Sequence, residues 1–237
     1  MYHSITFGDK NTWDDWFLIP SSRPVFNPPA PKTSYIDIPG SDGQLDMTEA
    51  LAGYPLYECR KGSLEFIVDN WHREWQDLYS EIMDYLHGQT MRAILEDDPD
   101  HYYEGRFSVN QWKSEAVNSK IVIDYVVYPY KLDRYSSVED WEWDTFNFES
   151  GIVRDYRDMN VDSELYVDVI GSRKPVIPAF VVETPDGNGM VVEYNDAVYD
   201  LPDGTTKTTS IVLRDGDISL RFIGHGTVSI DYRGGGL

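Results

Sequence analysis

Ala179-Phe180-Val181-Val182-Glu183, the pair Asp186-Gly187, then Met190-Val191-Val192-Glu193-Tyr194 is the stretch whose reading decides the fold. Two short runs rich in β-branched and aromatic residues flank a dipeptide that tolerates the positive φ of a tight turn, so the stretch predicts strand, turn, strand. Toward the C-terminus, Asp203-Gly204 and Asp215-Gly216 repeat the turn signal, and strands are predicted over 208–213, 218–223 and 227–232. Toward the N-terminus, further strands are predicted over 165–170 and 141–148. Short strands at this spacing, with no helical stripe among them, point to an antiparallel β-sandwich.

The first half reads differently. Pro20, Pro24, Pro28, Pro29 and Pro31 crowd one segment; proline fixes φ and removes a donor, so this is an extended arm rather than a helix or a central strand. Tyr35-Ile36-Asp37-Ile38, the turn Pro39-Gly40-Ser41-Asp42-Gly43 and Gln44-Leu45-Asp46-Met47 follow, and Leu64-Glu65-Phe66-Ile67-Val68 has the pattern of a partly buried strand. Residues 34–68 are predicted as one long strand–turn–strand excursion. A single helix is predicted over about 70–87. Trp71, Trp75, Leu78, Ile82, Tyr85 and Leu86 recur at spacings of three and four, Asn70 is placed to cap the start, and Gly88 to end it. Strands return over 91–95, 102–109 and 120–130. No β–α alternation repeats, which excludes a doubly wound sheet. The polar run 131–137 marks a boundary, giving predicted domains of 1–133 and 134–237.

Composition bounds the function. The chain of 237 residues carries seven Trp and seventeen Tyr, enough to build packed cores and aromatic-rich surfaces. Its net charge is −21; residues 1–133 hold 22 acids and 11 bases (net −11) and residues 134–237 hold 19 and 9 (net −10). Acidity spread over both halves opposes binding to nucleic acid and to anionic membranes, since phosphate binding needs clustered Lys and Arg. One cysteine, Cys59, excludes an intramolecular disulfide framework and a thiolate zinc site, as expected for a reducing compartment. The polar N-terminus lacks the apolar stretch of a signal peptide, and no run reaches the length of a membrane helix. A soluble protein made in the cytoplasm is expected.

A search for chemistry returns little. His3, His72, His87, His101 and His225 form no metal-binding pattern. The densest acidic cluster, Asp97-Asp98-Pro99-Asp100-His101, lacks the spaced ligands, glycine and distal Glu of a calcium loop, so a solvated loop between strands is expected. No nucleophile elbow or phosphate loop is present. No catalytic, cofactor or metal site is predicted, and an enzyme is not expected. Trp141 and Trp143 alternate with Glu142 and Asp144, so both indoles share one strand face. That face is either a core or partner surface, or a ligand-binding platform.

One series of residues carries a resemblance. Ile5-Thr6-Phe7-Gly8-Asp9-Lys10-Asn11-Thr12-Trp13-Asp14-Asp15-Trp16, Ile19 to Pro24, Val25-Phe26-Asn27-Pro28-Pro29, Tyr35 to Gly40, Leu45-Asp46 and Arg60 with Gly62-Ser63-Leu64-Glu65-Phe66 resemble the N-terminal signature of phage distal tail (Dit-like) proteins. The closing run from Ile218 through Gly224-His225-Gly226 to Arg233 is similar to that family's last strands. The resemblance implies a mainly β protein: an N-terminal β-sandwich with one helix and a long belt hairpin, then a galectin-like antiparallel sandwich. It implies a homo-hexameric ring at the virion tail tip, joining the major tail tube protein to the tail-associated hub or fibre, with receptor-binding proteins as further partners and DNA passing through an acidic channel. It places subunit contacts on the arm and hairpin, at Arg23, Pro24, Phe26, Tyr35, Ile36, Ile38, Leu45, Met47 and Leu51, with Arg23, Lys32 and Arg60 as candidates for interfacial ion pairs. The alternative is a carbohydrate-binding host-adhesion module centred on Trp141 and Trp143. The sugar-binding His-x-Asn-Pro-Arg series of true galectins is missing.

Overall fold

The computed structural model describes residues 2–68, 74–113, 119–140 and 154–237. The chain divides into two compact units, Met1–Lys131 and Leu132–Leu237.

The first unit is built on strands β1 (Ile5–Phe7), β2 (Lys10–Asn11), β3 (Leu18–Pro20), β6 (Arg60–Val68), β7 (Gln89–Leu95), β8 (Asp98–Lys113) and β9 (Ser119–Val127), with β4 (Tyr35–Asp37) and β5 (Gln44–Asp46) standing apart as a hairpin. The large sheet has the order β2-β1-β7-β8-β9-β6-β3, and the pairings along it are antiparallel. β9 shows why. Ile121, Ile123, Tyr125 and Val127 point into the core while Lys120 and Val126 stay exposed, a two-residue period with one wet face. Helix α1 (Trp75–Leu86) buries Leu78, Ile82 and Leu86 against that core. Trp16 is fully buried and donates its indole N–H to Glu81 of the helix at 3.1 Å.

Helix α1 starts at Trp75, preceded by Glu74, which makes no side-chain cap bond; the expected cap Asn70 and the stripe residue Trp71 lie outside the described residues. His87 and Gly88 (φ +74°) end it as predicted. The excursion expected over 34–68 is shorter. Arg60–Val68 lies between β9 and β3 in the large sheet, with Leu64, Phe66 and Val68 in the core, because its alternation finds paired neighbours on both edges. The acidic cluster is not a loop either. Glu96 and Asp97 alone make the turn, Leu95 pairs Asp98, and Pro99 sits at the start of β8, where a missing N–H is tolerated.

A short strand β10 (Lys131–Asp133) follows. The second unit then contains β11 (Met159–Ile170), β12 (Ala179–Glu183), β13 (Met190–Tyr194), β14 (Ala197–Leu201), β15 (Gly204–Lys207), β16 (Asp217–Asp231) and β17 (Gly235–Gly236). Its curled sheet runs β14-β13-β16-β12-β15, and β11 pairs β16 along twelve residues. The two strands expected at 218–223 and 227–232 are one. β16 passes Gly224 and Gly226 at φ +151° and +146°, so it bends without breaking: residues 221–223 pair β13 and residues 227–231 pair β12. A side chain on Gly224 would stand 2.7 Å from Met190, and one on Gly226 would collide with the Glu183 carbonyl. The strand expected at 208–213 is displaced to Gly204–Lys207. Ile211 and Leu213 are buried there as core anchors without a ladder; Leu213 makes only an isolated bridge to Val176. The core packs Phe180 edge-on against Phe222 with Val192, Leu201, Leu220 and Ile230 around them. The strand expected at 141–148 lies outside the described residues.

Candidate functional site

The most exposed apolar structure in the first unit is the hairpin. Every residue from 31 to 47 is solvent-exposed. Tyr35 pairs Asp46, Ile36 pairs Leu45 and Asp37 pairs Gln44, while the Met47 N–H donates to the Ser34 carbonyl at 2.8 Å. This register sorts the side chains. Ile36 stands opposite Leu45, and alternation puts Ile38 and Met47 on the same face; Asp37, Gln44 and Asp46 share the other. Hydrogen bonds tie only the polar side: Gln44 Nε2 donates to Asp37 at 2.8 Å, and the Thr48 N–H donates to Asp46 at 2.9 Å. Hydrogen bonds from Thr48 hold the Asp46 carboxyl below its ordinary range.

The apolar side has no cover among the described residues. Ile36, Ile38, Leu45 and Met47 are each between 36% and 51% exposed; Tyr35, 53% exposed, stands opposite Asp46 on the other face, and Leu51, on the descending limb, is 103% exposed. An isolated two-stranded ribbon is marginal in water, and clustered exposed apolar side chains mark a contact surface. Val25 and Leu56 extend the exposed apolar set; the sequence reading missed both, since each is a lone apolar residue among prolines and turns.

The arm behaves differently. Pro24 is buried and Phe26, only 3% exposed, joins the core with its ring 4.2 Å from Tyr103 and 4.7 Å from Tyr125, so neither is a surface contact. Proline holds the arm extended, and Phe26 pins it down. Arg23, its side chain 68% exposed, donates to Asp97 within the chain at 2.8 Å. His3 meets the same carboxylate at 2.9 Å. Asp98 pairs with His101 and Lys131, both at 2.6 Å. Burial opposes ionisation of Asp98, but these two partners outweigh it and hold its pKa at about 2. Asp97 is treated the same way: burial pushes its pKa up, His3 and Arg23 bring it below the ordinary range. The acidic cluster is thus a fastening point for the N-terminus, the arm and the end of β9's loop. Arg60, expected as a surface partner, is buried, and no described carboxylate pairs with it.

His87 accepts the Val109 N–H at the helix end, and His225 meets Asp162 on the surface at 3.3 Å. The described residues contain no group of three or more His, Cys, Asp or Glu placed to hold a metal, and no helix long and apolar enough to cross a membrane. Trp141, Trp143 and His72 lie outside the described residues.

This fold has a counterpart of known structure. The chain is similar over 100% of its length, and over 100% of the other chain, to SPP1 Dit (gp 19.1), described as a paradigm of the hub adsorption apparatus in phages infecting Gram-positive bacteria, with a TM-score of 0.65 and 12% identity. The fold is that of Dit. No protein-family model matches the sequence, and no curated protein sequence matches it. At this identity the likeness resides in the Dit fold rather than in shared residues.

Proposed function

We propose that this protein is a structural component of a phage tail tip, a Dit-type hub that assembles from copies of itself. The observation that carries the reading is the hairpin: an amphipathic ribbon whose apolar face is bare, on a chain with the Dit fold throughout. In this reading the hairpin lies across the neighbouring copy, each copy giving one hairpin and receiving one, so that six close into a ring. Such head-to-tail contacts generate closed rings when the rotation closes. The ring joins the tail tube protein on one side and the hub or fibre on the other. The second unit acts as a galectin-like outer module that carries receptor-binding components. A net charge of −21 per copy suits a conduit for DNA, because acidic walls do not grip phosphate.

Replacing residues 40–52 with a short Gly-Ser linker tests this. Mass photometry is expected to find the altered chain as a folded monomer under conditions where the natural chain forms a larger closed particle. Particles of unchanged mass in both would remove the hairpin from the contact.

A further inference from the structure

Arg60 opens β6 and is 5% exposed. Its Nε donates to the Pro129 carbonyl at 2.8 Å, and one terminal nitrogen donates to the Asn27 carbonyl at 3.1 Å and the Phe26 carbonyl at 3.4 Å. The guanidinium carbon lies 5.4 Å from the centre of the Tyr103 ring. The other terminal nitrogen has no hydrogen-bond partner among the described residues. An arginine keeps its charge when buried, so something must replace water around it. Here carbonyl dipoles and an aromatic face do so, and the carbonyls come from two segments, the arm and the loop after β9. The arrangement is favourable only while both segments stay in place. If the arm moves, a buried charge loses its solvation.

The neighbouring residues serve the same junction. The Asn27 N–H donates to the Tyr125 hydroxyl at 2.8 Å, and Asn27 Nδ2 donates to the Lys61 carbonyl at 2.9 Å. Gly62 leaves the room for this; a Cβ there would stand 2.6 Å from Asn27 Nδ2 and collide with the Tyr125 hydroxyl. Just beyond, the Glu58 N–H donates to Ala30 and the Lys32 N–H donates to Leu56, both at 2.8 Å, and residues 33–47 past that point are exposed.

We propose that Arg60 is a positioning residue whose buried guanidinium fixes the direction in which the arm and hairpin leave the first unit. Its consequence for assembly rests on the self-assembly reading above; its effect on the arm does not. Three variants of the full chain separate the two: Arg60→Lys, which keeps the charge but has one nitrogen where two directions are needed, Arg60→Met, and Tyr125→Phe, which removes only the acceptor for Asn27. Hydrogen exchange is read on dilute protein. In both Arg60 variants the amides of Asn27, Lys32 and Glu58 are expected to exchange about tenfold or more faster, while amides of the β8–β9 ladder keep their rates. Tyr125→Phe is expected to speed the Asn27 amide without touching those of Lys32 and Glu58. Unchanged root amides in Arg60→Lys, or an equal acceleration of the β8–β9 ladder, overturns the proposal. Mass photometry at a concentration where the natural chain is assembled should show Arg60→Lys losing the assembled particle although its core is intact. A natural chain that remains monomeric while the root amides respond as stated overturns the assembly reading and leaves the anchoring role of Arg60 standing.

Discussion

Strand β6 and the hairpin β4–β5 carry similar apolar alternation, and they meet opposite fates. In β6, Leu64, Phe66 and Val68 sink into a core lined by β9 on one edge and β3 on the other. In the hairpin, Ile36 and Leu45 face each other across a ribbon whose apolar face no described residue covers. Apolar alternation reports a demand for burial; whether the same chain meets that demand depends on neighbours that the pattern does not name. The difference also separates two kinds of energy. Burial in β6 stabilises the fold of one copy, whereas in the proposed reading burial of the hairpin face stabilises the assembly.

The widest test of that contrast is a pair of substitutions. Phe66→Ala removes a fully buried ring and is expected to cost about 3–5 kcal/mol, lowering the melting temperature by many degrees. Ile36→Asp with Leu45→Asp is expected to leave the melt of dilute protein unchanged within about 0.5 kcal/mol, since both sites are exposed, and to abolish self-association. A melt in the hairpin variant as low as that of Phe66→Ala breaks the comparison, because it means the hairpin face is already buried within one copy.

The contrast has a counterpart in the second unit. Gly226→Ala drives a Cβ into the Glu183 carbonyl at a positive φ, and an expected loss of about 1–3 kcal/mol should be measurable by urea denaturation. Gly187→Ala, at a turn with open space, is expected to cost less, about 1 kcal/mol. Equal losses would show that β16 does not need its bend.

How far the residues themselves disclose this follows from the same distinction. Local signals were enough for β9, for the body of α1 and for the turn at Asp186-Gly187, because each lies within a few residues; Asp203-Gly204 instead leads straight into β15, which opens at Gly204. The run at 218–232 reads as two strands because Gly224-His225-Gly226 interrupts its apolar pattern, whereas β16 bends through those glycines unbroken. Strand β14 went unseen because its turn is Asn195-Asp196, at φ +50° and +60°, without the glycine that marks such turns. For the candidate site, the exposed hairpin residues were legible as an apolar alternation around a Pro-Gly turn. The burial of Phe26 and Arg60 was not. Phe26 looks like one more arm residue among prolines, and Arg60 looks like any surface base, since the carbonyls that solvate it lie 33, 34 and 69 positions away.

A smaller effect is expected in acid. The pKa of Asp98 in the fold, about 2, lies below its ordinary 3.8, so the stability it contributes is complete above 3.8 and is lost as pH falls through about 2. The natural chain should lose about 1 kcal/mol over that window from this partly exposed side chain, after allowance for solvent screening. Asp98→Asn should flatten that part of the stability curve. A curve of unchanged slope in the variant would take Asp98 out of the fastening of the first unit.

The smallest expected effect is that of salt on assembly. With 41 acids against 20 bases per copy, like charges oppose association. Screening that shortens their reach from about 30 Å at 0.01 M to about 8 Å at 0.15 M should raise the assembled fraction. A fraction that falls steadily from 10 to about 500 mM salt would show that exposed ion pairs outweigh the repulsion.

The measurement that bears most directly on the central claim is the mass of the natural chain in solution across concentration. Burial of the hairpin face on a second copy predicts that the single chain of 27.3 kDa gives way, as concentration rises, to a closed particle of six copies, about 164 kDa, with the amides from Tyr35 to Met47 becoming protected from hydrogen exchange in step. A mass of 27.3 kDa at every concentration, with those amides unprotected throughout, would contradict it.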